Sequence, residues 1–140
     1  MEITVHSTEE TKKLAQQVAS QVKPGDIIAL YGDLGSGKTT FTRFLVEFLG
    51  VPARVQSPTF IIHRVYEHDS LRINHFDLYR LTSLADVLDM GFRETLADEN
   101  SVTIIEWPEV AEEVLNEYNS KLKKMYFTYI SEDERLIKII

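Results

Sequence analysis

The chain has 140 residues, 44% of them hydrophobic, a size that suits one compact domain spanning 1–140 and is too short for two of ordinary size. With 22 acidic against 15 basic side chains its formal net charge is −7. That balance argues against a protein that grips a nucleic-acid backbone alone, because such binding rests on many lysine and arginine contacts, so a partner would have to supply the basic surface.

The opening MEITVHSTEE turns acidic where a signal peptide would turn apolar. No later apolar run approaches the ~20 residues that cross a bilayer, so a soluble, cytoplasmic protein is expected. Residues 2–6 read as a short strand, and Ser7-Thr8-Glu9-Glu10 fits the S-x-x-E capping box, in which serine and glutamate each satisfy a free helix N–H. The helix that follows places Leu14, Val18 and Val22 on its inner face and stops at Lys23-Pro24-Gly25. Ile27 to Tyr31 is a near-continuous apolar strand, the pattern of a central strand covered on both faces. A second helix starts near Gly37, carries Phe41, Phe44, Leu45, Phe48 and Leu49 on one face, and ends at Gly50-Val51-Pro52.

Two alternating segments, 59–67 and 71–77, flank His68-Asp69-Ser70 and read as an antiparallel hairpin. Short helices fill 83–97, an apolar strand runs over 102–106, and an acidic amphipathic helix from about 108 turns Val110, Val114 and Leu115 inward. Strands near 125–130 and 135–140, joined at Ser131-Glu132-Asp133-Glu134, complete the chain. Helices alternating with strands early and hairpins late predict an α/β fold with a mainly parallel central sheet, antiparallel hairpin additions and helices on both faces. No repeat or low-complexity tract marks a domain boundary.

Gly32-Asp33-Leu34-Gly35-Ser36-Gly37-Lys38-Thr39 matches G-x-x-x-x-G-K-[ST] at every fixed position, between a predicted strand and a predicted helix. Glycines let successive N–H groups point at phosphate oxygens, and the helix N-terminus adds partial positive charge. Lys38 can then bridge the β- and γ-phosphates, Thr39 offers a hydroxyl to Mg²⁺, and Thr40 adds a further phosphate contact. The bland alternative is a glycine-rich turn that only links strand to helix.

Such a loop needs a second acidic residue at the carboxyl end of a neighbouring strand, and Glu106, closing VTIIE, is placed for it. Its alternative role is to cap the helix at Pro108. Alternation puts His75 and Asp77 on one strand face. A hairpin closed symmetrically about Asp69 would set His63 opposite His75 and Ile61 opposite Asp77, which makes a His63/His75/Asp77 metal site conceivable, against paired histidines on a half-buried sheet or a turn role for Asp77. With no cysteine in the chain, any metal must be held by oxygen or imidazole. Ser57-Pro58-Thr59-Phe60 lies where nucleotide-sensing switches occur, though it also suits an ordinary strand entry. Lys121-Leu122-Lys123-Lys124 reads as a solvated loop face.

Four islands in one order, YGDLGSGKTTF (31–41), SPTF (57–60), HFDLYRL (75–81) and IEWPE (105–109), resemble the TsaE (YjeE) family across the whole chain. Ser36 stands where many relatives have alanine, and Phe60 where some have tyrosine. The resemblance implies a P-loop ATPase required for threonylcarbamoyladenosine modification of tRNA beside the anticodon, acting as accessory to TsaD and TsaB, with tRNA reached only through them. It implies that Gly35, Ser36, Gly37, Lys38, Thr39 and Thr40 hold the phosphates of ATP, that Thr39 and Glu106 bind Mg²⁺, and that Asp77 and Trp107 are required for activity. It also places the adenine around Thr8 and Glu9 and near the late hairpin. A protein that is monomeric alone, hydrolyses ATP slowly and speeds up with its partners is the resulting expectation. A small-molecule kinase and a nucleotide-gated module without turnover are the competing readings.

Overall fold

A computed structural model describes residues 1–51 and 62–140. The elements run β1 (Glu2–Val5), α1 (Thr8–Ala19), β2 (Ile27–Tyr31), α2 (Lys38–Phe48), β3 (His63–His68), β4 (Leu71–Asp77), α3 (Leu84–Leu88), α4 (Phe92–Ala97), β5 (Ser101–Glu106), α5 (Glu112–Leu115), β6 (Leu122–Tyr129) and β7 (Arg135–Ile139). The described strands form a seven-stranded sheet in the order β1-β7-β6-β2-β5-β4-β3. Strands β6, β2, β5 and β4 are mutually parallel, while β3 on one edge and the β7–β1 pair on the other are antiparallel additions. The α/β class and the parallel centre are as expected.

β2 shows why its sequence is apolar throughout. Successive side chains point to opposite faces, and both faces are covered. Ile28 and Leu30 join Leu14 and Val18 of α1 and Phe41 and Leu45 of α2 in one core. Ile27, Ala29 and Tyr31 join Val87, Phe92, Leu96, Val114 and Leu115 from α3, α4 and α5 in the other. α1 begins where the capping pattern puts it: Ser7 Oγ accepts the Glu10 N–H at 3.2 Å, and the Glu10 carboxylate accepts the His6 N–H at 2.7 Å.

Four expectations need correction. First, α1 ends at Ala19 and leaves Val22 outside the helix. The hairpin closes through a two-residue turn, with Asp69 at φ 54°, so His63 pairs with Phe76 and Arg64 with His75. A one-residue change of register moves a strand's side chains to the opposite face. His63 therefore stacks on Phe76, with ring centroids 4.1 Å apart, while His75 points to the other side of the sheet, and the His63/His75/Asp77 metal site is not formed. The acidic helix from 108 is broken into a 3-10 turn at Pro108–Ala111, the single turn of α5, and a second 3-10 turn at Asn116–Lys121 with non-helical Tyr118. Pro108 follows a left-handed Trp107, and Ala111 sits at φ −107°, ψ 10°, so the chain never settles into one continuous helix. Its inward residues are still Val114 and Leu115, with Val110 packed beside them. Finally, Lys123 and Lys124 belong to β6 rather than to a loop, and Lys124 Nζ pairs with the Glu112 carboxylate.

The turn out of β2 has no room for a side chain. A Cβ on Gly32, whose φ is 146°, would lie 2.6 Å from both the Phe127 carbonyl oxygen and Ser36 Oγ. One on Gly35 would meet nothing within 4 Å among the described residues. Gly32→Ala is therefore expected to destabilise the fold by about 3 kcal/mol through overpacking and backbone strain. Gly35→Ala should cost about 1 kcal/mol, from its positive φ alone. Urea unfolding of the two variants checks this ordering; equal midpoints would contradict it.

Candidate active site

The parallel register brings three chain ends to one rim of the sheet. Glu106, closing β5, lies opposite Leu30 of β2 on one side and Asp77 of β4 on the other. From Gly32 the chain loops over that rim, and Gly37, at φ 104°, turns it into α2. Because Ile73 and Ile104 face the α1/α2 core, alternation sends His75, Asp77 and Glu106 to that same side, beneath the first turn of α2.

Glu106 is only 2% exposed, and both of its oxygens are engaged. Oε1 accepts the Thr39 hydroxyl at 2.9 Å, and Oε2 accepts from His75 Nε2 at 2.6 Å. The 3-10 turn at Pro108 has no side-chain cap, so the capping role for Glu106 falls away. Lys38 Nζ donates to the Gly32 carbonyl and lies 3.7 Å from the centroid of the Trp107 indole, a cation–π contact. Burial pulls the Lys38 ammonium below its ordinary pKa, opposed by the nearby carboxylates of Glu106, Glu109 and Asp77. Asp77 Oδ1 accepts the Tyr79 N–H at 3.0 Å, yet burial, reinforced by the like charge of Glu106, holds its carboxyl above the usual range.

Trp107 is the least expected member. It sits at φ 56°, ψ 57°, a conformation costing a non-glycine residue about 1–2 kcal/mol and disfavoured again by the proline that follows. That turn folds the indole back under Lys38 and against Tyr79, 4.8 Å between ring centroids. Spacing alone gave this tryptophan no task; the geometry makes it a neighbour of the phosphate-loop lysine.

These groups line a cleft of about 350 Å³ that holds Gly35, Ser36, Gly37, Lys38, Thr39 and Thr40 together with Asp77, Glu106 and Trp107. A second hollow of about 410 Å³ shares Gly37, Thr40 and Arg135 with it and reaches Thr8 and the β6–β7 turn at Glu132 and Asp133. Glu9 lines neither. Ser57 to Phe60 lie outside the described residues. Among the described residues no three His, Asp or Glu side chains gather as a metal-binding group. The Thr39–Glu106 pair would suit Mg²⁺ instead, since a hydroxyl and a carboxylate are the oxygen ligands this hard cation takes.

Two residues of the site escaped sequence reasoning. His75 could be assigned a strand face but not its partner, which arrives from a strand 31 residues away by parallel pairing. Arg135 borders both hollows, with Nη1 donating to the carbonyls of Ser131, Glu132 and Glu134. No motif marks it, only its position just past the late turn.

Asp77 has a stability consequence. Its raised pKa means the folded state binds this proton more tightly than the unfolded chain does. Stability therefore falls as pH rises from the ordinary carboxylate range through the raised value, and the loss persists at neutral pH. Asp77→Asn, which keeps an acceptor for the Tyr79 N–H, is expected to raise the melting temperature at pH 7 and to lose that advantage towards pH 4. Thermal unfolding of both proteins across that interval measures it; a lower melting temperature for the variant at pH 7 would contradict it.

The chain matches, over residues 5–137, the family model described as "Threonylcarbamoyl adenosine biosynthesis protein TsaE". It is 37% identical over 139 residues to the tRNA threonylcarbamoyladenosine biosynthesis protein TsaE of Rickettsia felis, covering 99% of this chain and 78% of that one. It is 42% identical over 107 residues to the protein of the same name from Bacillus subtilis, covering 76% and 66% respectively. Among solved structures it superposes on Bacillus subtilis YdiB with a TM-score of 0.73 at 31% identity, covering 99% of this chain and 83% of that one. With a family model matched over nearly its whole length, and a relative 37% identical over 99% of it, the chain belongs to the TsaE family.

Proposed function

We propose that this protein hydrolyses Mg-ATP in the cleft between the phosphate loop and Glu106, and that turnover drives a conformational cycle of a TsaD–TsaB complex that attaches threonylcarbamoyl to adenosine in tRNA. The observation that carries the reading is the Thr39–Glu106 hydrogen bond, which joins the hydroxyl of the loop motif to the acid of a neighbouring strand. The loop N–H groups and the start of α2 cradle phosphate oxygens. Lys38, released from the Gly32 carbonyl, moves its charge onto them, and the Trp107 indole keeps the ammonium inside the cleft. Thr39 and Glu106 would hold the metal. A magnesium ion bound there would supply positive charge to offset the charge that develops as the γ-phosphoryl bond breaks. Asp77, on the cleft wall beside Glu106, is placed to orient the attacking water.

Thr8 and the Glu132–Asp133 turn bound the space for the base, beside Arg135. Arg135 is the one arginine lining the cleft among the described residues, and three main-chain carbonyls fix its Nη1. It makes a static wall rather than the mobile lid a small-molecule kinase needs, which favours hydrolysis stimulated in trans. The acidic surface fits the same scheme, since the grip on tRNA belongs to the partners.

Phosphate release from ATP by the purified protein, alone and with TsaD, TsaB and tRNA, tests the proposal. Slow release alone that rises with the partners is expected. Lys38→Ala and Glu106→Gln should each lower the stimulated rate by about 100-fold or more. Full turnover without partners, or an undiminished Lys38→Ala rate, would overturn it; nucleotide binding with no phosphate release under any condition would point to a switch without hydrolysis.

A further inference from the structure

His75 is wholly buried on β4, between β3 and β5, where Arg64 and Ile104 are its cross-strand neighbours. Among the described residues its Nδ1 has no hydrogen-bond partner, and its one polar contact is the 2.6 Å bond from Nε2 to Glu106 Oε2. A carboxyl group turns easily about its terminal torsion, which has broad minima. With only the Thr39 hydroxyl to hold it, Glu106 could exchange its two oxygens or swing towards Lys38. His75 removes that freedom: one oxygen is taken from inside the sheet, and the other is left aimed at Thr39.

We propose that His75 is a positioning residue for the magnesium site, holding one oxygen of Glu106 so that the other is presented beside the Thr39 hydroxyl. This rests on reading Thr39 and Glu106 as the metal-holding pair. The same hydrogen bond would also serve a purely structural purpose, satisfying a buried acid, and the two roles differ in what they affect. A positioning role acts on metal affinity and leaves phosphate binding by the loop N–H groups intact. A structural role weakens the whole cleft together.

The chain's single tryptophan, Trp107, lies against Lys38 and supplies a fluorescence signal for both events. Wild type, His75→Leu, His75→Asn and His75→Gln are each titrated with a non-hydrolysable ATP analogue in EDTA, and then with MgCl₂ at saturating analogue. Leucine removes the donor, asparagine leaves an amide short of Glu106, and glutamine places an amide nitrogen about where Nε2 stood. The magnesium midpoint is expected to rise about 10–100-fold in the leucine and asparagine variants, the range found when partners of metal ligands are removed, and to return most of the way in the glutamine variant. Affinity for the analogue in EDTA should stay at the wild-type value in all three.

An unchanged magnesium midpoint in the leucine or asparagine variant would overturn the inference, as would parallel losses with and without metal. Should the leucine variant not fold, the asparagine and glutamine pair decides the matter in the same way. A wild-type protein that, loaded with the analogue, binds no magnesium by calorimetry either would instead remove the metal reading of Thr39 and Glu106 on which the inference stands.

Discussion

A carboxylate sealed inside a sheet must have its oxygens matched by donors, because an unpaired charge away from water is among the costliest defects a fold can carry. Glu106 meets that demand with a hydroxyl from α2 and an imidazole from β4, while its own strand, β5, lies between β2 and β4. Three separate elements are thereby tied at one point. The pairing that aligns the carboxyl ends of β2, β5 and β4 comes from the apolar burial of those strands, and the acid is what that alignment delivers to the foot of the phosphate loop.

The loop above is shaped by close approach. Gly32 lies against the Phe127 backbone with no space for a methyl group, so β6 acts as a floor that presses the start of the loop inward. Opposite it, the chain leaves β5 through a strained left-handed tryptophan. Strain of this kind persists only where the surroundings over-determine it, and here the indole is held by Lys38 on one side and Tyr79 on the other. The same ammonium donates to the Gly32 carbonyl, so Lys38 ties the start of its own loop to the residue that follows β5.

Much of this was legible before any coordinates. Local signals served well: the Ser7 cap, the all-apolar β2 and the glycine-lysine loop each depend on near neighbours in sequence, and each appears where it was read. What failed depended on a count or on distant partners. A turn shorter by one residue moved His63 to the opposite face from His75, and a left-handed Trp107 before Pro108 fragmented a helix that charge and periodicity favoured. The His75–Glu106 bond joins strands that meet only through parallel pairing, and no pattern within either strand announces it. Family resemblance supplied Trp107 and Asp77 as required residues; the coordinates give them neighbours and a physical environment.

An acidic chain whose cleft is built on strand ends, with the one arginine that lines it among the described residues bonded to main-chain carbonyls, agrees with the accessory role proposed above. The central claim is that the phosphate loop and Glu106 form one metal-nucleotide site. A crystal structure with Mg²⁺ and a non-hydrolysable ATP analogue tests it most directly. The metal is expected beside Thr39 Oγ1 and the Glu106 carboxylate, with Lys38 Nζ drawn off the Gly32 carbonyl onto the phosphates. A triphosphate bound outside the loop, or a metal remote from Glu106, would contradict it.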